Sequence, residues 1–245
     1  LAVQRDLKDW NDRALASITG QMVVARHRKL SRKSLTTANR AMRVLRAVWN
    51  HARSISEDDE ANPLLPEPPT RKLRRSWNRE TRREGHIPPN QLKPWFKAVN
   101  QLPETLKRGD GELARDYLCF VLLTGLRRRE ATSLFWSDID LNNRVIRIRH
   151  TKNHTPFTLP LSDYLTEILE GREAGAGEDG RVFPLEEPRR FVQKVREDSG
   201  VEFTIHDLRR TFITIAESLD ISLFAIKTLV NHRINIGSDV TAGYV

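Results

Sequence analysis

A single cysteine, Cys119, occurs among the 245 residues, which excludes an intrachain disulfide and any cysteine-rich zinc site. That count suits a reducing, cytoplasmic setting. No run of about 18 apolar residues exists, so neither a transmembrane helix nor a membrane partner is expected. The N-terminus, Leu1-Ala2-Val3-Gln4-Arg5, has no initiator methionine and no apolar signal-peptide core, and it reads as the start of a fragment. Carboxylates are scattered without a paired metal-ligand motif, so no metal site is expected. No internal repeat is visible. Tyrosine is scarce: Tyr117 falls inside an apolar helical stretch, Tyr164 begins another, and Tyr244 follows Gly243 near the end.

What is present is charge, unevenly placed. Residues 1–85 hold 19 Lys and Arg against 10 Asp and Glu, whereas residues 86–245 hold 22 of each, so the whole net charge of +9 sits in the first third. A basic module beside a neutral one points to a polyanion grip in the first and another task in the second. Arg-rich helices that are merely well solvated remain the alternative.

Apolar periodicity predicts helices over about Val3 to Ile18, Thr19 to Leu30 and Leu35 to Ile55. The third places Ala38, Ala41, Met42, Leu45, Val48, Trp49 and Ala52 on one face and Arg40, Arg43, Arg46 and Arg53 opposite, with Ser34 as N-cap. Arg26, Arg28, Lys29, Arg32 and Lys33 cluster near the junction of the second and third helices, where they could neutralise several phosphates. Pro63, Pro66, Pro68 and Pro69 then break the pattern, and Arg71, Lys72, Arg74 and Arg75 follow. Residues 1–66 are read as a helical domain and 67–85 as a basic linker, either a solvated tether or a strap along a phosphate backbone.

Residues 86–245 are read as an α+β domain, making the chain mostly α. Helices are expected from Pro88 to about Gln101, Gly111 to Thr124, Arg128 to Leu134, Asp163 to Glu170, Pro188 to Asp198, His206 to Ser218 and Leu223 to Val230. Alternating strands are expected over Arg144 to His150 and Thr155 to Leu161, with Asn153 and His154 in the turn. Gly175-Ala176-Gly177 marks a surface loop.

Four segments of this second part carry the chemistry: Thr124-Gly125-Leu126-Arg127-Arg128-Arg129-Glu130, Thr151-Lys152-Asn153, His206-Asp207-Leu208-Arg209-Arg210, and Val230-Asn231-His232 with Tyr244 downstream. In this order they resemble the tyrosine recombinases of the phage-integrase type. The likeness covers residues 86–245, and more loosely the first domain, which is similar to the helical core-DNA-binding domain of these enzymes. It implies Arg127, Lys152, His206, Arg209, His232 and Tyr244 as catalytic residues. Arg127 and Arg209 hold the phosphate, since guanidiniums present planar forks and stay charged. Arg128, Arg129 and Arg210 are expected to face solvent or the DNA backbone. His206 and Arg209 lie three apart, so both side chains could reach one phosphate. Glu130, one turn from Arg127, is expected to orient its guanidinium.

The resemblance further implies Tyr244 as nucleophile, His206 as proton acceptor or relay, Lys152 as the acid for the departing 5′-hydroxyl, and His232 as a phosphate donor. Val230-Asn231-His232 departs from the usual Leu-Gly-His, but asparagine can adopt the left-handed conformation of glycine. A 3′-phosphotyrosine conserves bond energy, so no cofactor, metal or ATP is expected. The implied partner is double-stranded DNA at a recombination core site in a nucleoid setting, with a homotetramer on DNA and a monomer in isolation. The implied role is integration or excision of a mobile element. A silent DNA-binding regulator keeping the fold is the alternative.

Overall fold

The computed structural model describes residues 5–56, 62–81, 84–107, 109–151, 155–173 and 180–231. The chain forms two compact units, Leu1–Arg83 and Glu84–Val245.

In the first unit, helix α1 (Gly20–Ser31) starts at Thr19, whose hydroxyl accepts from Met22 N–H, and α2 (Leu35–Ile55) starts at Ser34, which caps Thr37 N–H in the same way. Along α2, Ala38, Ala41, Met42, Leu45 and Trp49 are buried, while Val48 lies outside the core at 44% exposure. The helix expected over Val3 to Ile18 does not run through: Arg5 and Asp6 are helical, and two short 3₁₀ turns follow, Lys8–Trp10 and Leu15–Ser17. The polar run Asn11-Asp12-Arg13 separates them, and Asn and Asp favour turns over helix interiors. Leu7, Trp10 and Ile18 still reach the core.

The basic stretch expected as a linker is largely part of this unit. Pro69–Leu73 forms a 3₁₀ helix, Leu73 is fully buried, and Trp49 Nε1 donates to Pro66 O at 2.8 Å. Asn78 continues the attachment: its N–H donates to Asn39 Oδ1 (3.1 Å) and its side-chain amide donates to Ser31 Oγ (2.8 Å). Apolar Leu73 and Trp77, set among the arginines, supply the packing that a reading by charge overlooks.

The second unit is built around α5. Before it come α3 (Pro89–Asn100), with proline at its first position, and the single turn α4 (Leu102–Thr105). Helix α5 (Asp110–Thr124) buries Tyr117, Leu118, Cys119, Phe120, Val121 and Leu122 in succession, so it is enclosed on nearly every side. Each large side chain so enclosed contributes on the order of 1.5–3 kcal/mol. Phe183 packs on both Tyr117 and Phe120, with ring centroids at 5.6 and 4.9 Å.

After α6 (Arg128–Thr132) comes an antiparallel sheet of β1 (Ile139–Asp140), β2 (Val145–Ile148) and β3 (Phe157–Pro160), in that order. Ile146 pairs with Leu159 and Ile148 with Phe157; Ile146 and Ile148 face the core and Arg147 the solvent. The two longer strands match the expected alternation, and the two-residue β1 is too short to leave a period. Helices α7 (Asp163–Glu173), α8 (Arg189–Ser199), α9 (Ile205–Ser218) and α10 (Leu223–Leu229) complete the unit. The expected loop at Gly175–Gly177 lies outside the described residues.

Candidate active site

Gly125 ends α5 in the left-handed conformation, φ +64°. A β-carbon there would come within 2.6 Å of the Phe212 ring on α9, so the position needs glycine for space as well as for φ. The turn delivers Arg127 to the N-cap of α6. Buried Glu130 accepts from Arg127 N–H at 2.9 Å and from its Nη1 at 2.7 Å, so one carboxylate both caps the helix and fixes the guanidinium. Their three-residue spacing on α6 makes this contact possible.

Arg209 projects from α9 and is only 3% exposed. Its Nη1 donates to Gly125 O (2.7 Å) and its Nη2 to Val230 O (2.5 Å). One guanidinium therefore fastens the end of α5 and the end of α10 to α9. Burial first, then the neighbouring Arg127, pushes its pKa down to about 10, with Glu130 opposing, so it remains charged at neutral pH. The importance of the Gly125 and Val230 carbonyls leaves no mark in the sequence, because a backbone acceptor can belong to any residue type.

His206 is the second residue of α9. Thr204 and Asp207 close the helix start reciprocally: Thr204 Oγ1 accepts from Asp207 N–H (3.3 Å) and Asp207 Oδ2 accepts from Thr204 N–H (2.9 Å). Asp207 also accepts from Arg210 Nη1 at 2.8 Å, which ties up Arg210. His206 opens onto a cleft of about 960 Å³ whose wall includes Arg127, Arg129, Arg181, His150 and Thr151. Arg209 is not among the residues that line this cleft; it is buried where α5, α9 and α10 meet. Arg128 also borders the cleft and is paired with Glu187 at 3.1 Å, while Arg181 is a cationic wall residue that the sequence motifs do not single out.

Partial burial, then Arg210, Arg209 and Arg127, push the His206 pKa below the ordinary 6.5, with Asp207 opposing. A depressed value keeps the ring neutral at pH 7. In DNA-free protein the His206 ring resonances should therefore titrate with a midpoint below 6.5 in an NMR pH series; a midpoint at or above it would contradict this electrostatic setting. The unfolded chain binds that proton more readily, so the same shift removes folding stability as pH falls through about 6.5.

Lys152, His232 and Tyr244 lie outside the described residues. Asn231, just before His232, has φ +45°, the left-handed conformation expected where asparagine replaces glycine. Tyr117 is fully buried, and burial raises its pKa; Tyr164 lies at the start of α7 at 46% exposure, and partial burial raises its pKa as well. Burial pushes the Cys119 thiol up to about 11.

The arginines expected to meet DNA divide into two sets. Arg26 is held by Asp9 and lies over the Trp10 ring, Arg43 pairs with Glu80, Arg71 with Glu67, and Arg40 lies 3.7 Å from Asp6. Arg28, Lys29, Arg32, Lys33, Lys72, Arg74 and Arg75 are exposed without an ion pair among the described residues.

Residues 95–236, more than half of the chain, match the phage integrase family. The chain belongs to this family, the tyrosine recombinases. It is 30% identical over 155 residues to prophage integrase IntF of Escherichia coli (strain K12), covering 58% of this chain and 32% of that protein. It is 30% identical over 123 residues to tyrosine recombinase XerA of Saccharolobus solfataricus (strain ATCC 35092 / DSM 1617 / JCM 11322 / P2), covering 49% and 42%. The chain thus spans less than half the length of these two curated recombinases. In fold it resembles lambda integrase (75-356), solved as a dimer bound to a COC′ core site, with a TM-score of 0.70, 17% identity and coverage of 96% of this chain and 86% of that one. XerH recombinase bound to its difH substrate gives a TM-score of 0.68 at 16% identity, over 90% and 66%. These tyrosine recombinase folds combine helices with a small antiparallel sheet, as the second unit does.

Proposed function

We propose that the chain is a site-specific DNA recombinase that cleaves and rejoins strands of a core site through a 3′-phosphotyrosine. The observation that carries this reading is the cationic cleft in which Glu130 holds Arg127 and His206 stands at the wall, with Arg209 bonded to the Gly125 and Val230 carbonyls. Attack by the Tyr244 phenol on phosphorus places extra negative charge on the non-bridging oxygens. Arg127 stabilises that charge from the wall. Arg209 commits two of its five N–H donors to carbonyls, which leaves three for the phosphate once DNA enters.

His206, neutral at pH 7, accepts the phenolic proton, and His232 donates to a phosphate oxygen. Lys152 protonates the departing 5′-oxygen. Rejoining reverses the sequence: the 5′-hydroxyl attacks the phosphotyrosine and the phenol leaves. The phosphoester bond is exchanged rather than hydrolysed, so the step balances without ATP or metal. Integration or excision of a mobile element by a homotetramer on two duplexes, in the cytoplasm at the nucleoid, is the setting this chemistry suits. No described helix is long and apolar enough to cross a membrane.

The test is covalent capture. Incubated in chelator with a nicked suicide duplex carrying the element's own junction, the protein should form an adduct that resists denaturation. Binding without adduct would instead make the chain a silent regulator with this fold. Grip on the duplex should come from the unpaired cations of the first unit. Replacing Arg28, Lys29, Arg32 and Lys33 by serine should lower the slope of log affinity against log salt by about 0.9 for each phosphate no longer neutralised. An unchanged slope would remove them from the interface. Arg26→Ala should lower thermal stability more than it changes that slope, since Asp9 and Trp10 already engage the side chain.

A further inference from the structure

The β2–β3 hairpin and the end of α10 are joined by one side chain. Asn231 Nδ2 donates to Thr155 O at 3.1 Å. Thr155 is in turn clasped to Thr151, whose hydroxyl donates to Thr155 O (3.0 Å) and accepts from Thr155 N–H (3.1 Å). Thr155 O thus receives two donors, which fills both its lone pairs. The clasp brackets residues 152–154 in the chain, and Thr151 lines the cleft. On the other side of Asn231, the Val230 carbonyl accepts from Arg209. A continuous path therefore runs from Arg209 through Val230 and Asn231 to Thr155 and Thr151.

The backbone alone does not call for asparagine here. At φ +45° glycine is the less strained choice, and it is the residue of the Leu-Gly-His pattern from which this sequence departs. What asparagine adds is the amide, and the amide is engaged at the neck of the hairpin.

We propose that Asn231 is a positioning residue that ties the Thr151–Thr155 clasp, which flanks Lys152 in the sequence, to the helix end braced by Arg209, and so sets where a proton reaches the leaving 5′-oxygen. This rests on the reading of Lys152 as the general acid. Misplacing a reacting group by about an ångström costs on the order of a hundredfold in rate, so one hydrogen bond beside the residue that carries it has leverage.

The experiment compares two suicide duplexes, one with an ordinary bridging 5′-oxygen and one with sulfur in its place. A thiolate departs without being protonated, so a defect confined to proton delivery vanishes on sulfur. A defect in folding, DNA grip or phosphate stabilisation persists on both. Asn231→Gly keeps the backbone conformation and removes only the amide. It should cleave the oxygen duplex about tenfold to a hundredfold more slowly, cleave the sulfur duplex at the parental rate, and bind DNA unchanged. Thr151→Val, nearly isosteric, should show the same pattern, and the double variant should be no slower than the slower single one.

Lys152→Ala is the control for the underlying reading. If it is not rescued by sulfur, the general-acid assignment falls and the positioning role with it. If it is rescued while Asn231→Gly and Thr151→Val are parental on both duplexes, or equally slow on both, the positioning role alone is overturned.

Discussion

Tyr244→Phe should abolish the covalent protein–DNA adduct while leaving affinity for the duplex unchanged. The substitution removes one oxygen atom and keeps the ring, so a total loss of adduct reports on the nucleophile rather than on packing. The other tyrosines cannot take its place. Tyr117 is fully enclosed in α5, and Tyr164 stands at the start of α7, outside the cleft lining. Burial raises the pKa of both, which opposes the phenolate that attack requires. Adduct formation is read by denaturing electrophoresis with end-labelled DNA, and the linked residue by peptide mapping. An adduct that survives the substitution, or that maps to Tyr164, would end the assignment.

Arg209→Ala should reduce cleavage by roughly a thousandfold, the upper range for removing one preorganised donor at a developing charge. Burial adds a second expectation that the motif does not contain. The Gly125 and Val230 carbonyls lose their partner, and an unsatisfied buried acceptor costs about 1–3 kcal/mol. Against that, removing a cation whose pKa is already pushed down to about 10 relieves a desolvation cost. The carbonyls outnumber the charge, so a net loss of about 2 kcal/mol is expected, or roughly 4–8 °C in Tm for a unit of this size. Arg209→Lys keeps the charge but cannot span both carbonyls, so it should recover little activity. Calorimetry and single-turnover cleavage separate the two effects. Cleavage within about tenfold of the parent would remove Arg209 from the chemistry and leave it as a fastener.

The sequence reveals what is periodic or local. Helix α2 has a one-sided apolar face, α5 a dense apolar run and β2 a strict alternation, and each is found where expected. Arg127 and Glu130 stand three apart, and the ion pair between them is a local contact. The spacing of His206 and Arg209 is also three, but it gives a different result. It places them on one side of α9 without revealing what packs against that side. Arg209 is buried among acceptors that arrive from 84 and 21 residues away. Residues 5–18 and the stretch around Leu73 depart from expectation for the same reason. Their packing depends on α1 and α2, so a helical period or a run of arginines describes only the chain itself.

The fastening of three helices by Arg209 has an evolutionary consequence. A lineage that keeps such a protein for DNA binding after strand exchange is no longer selected gains nothing by keeping a nucleophile. It cannot discard Arg209 as freely, because the junction of α5, α9 and α10 goes with it. Decaying copies of this gene should therefore lose the nucleophile early and retain the arginine, so an intact arginine pair is weak testimony that a copy is still active.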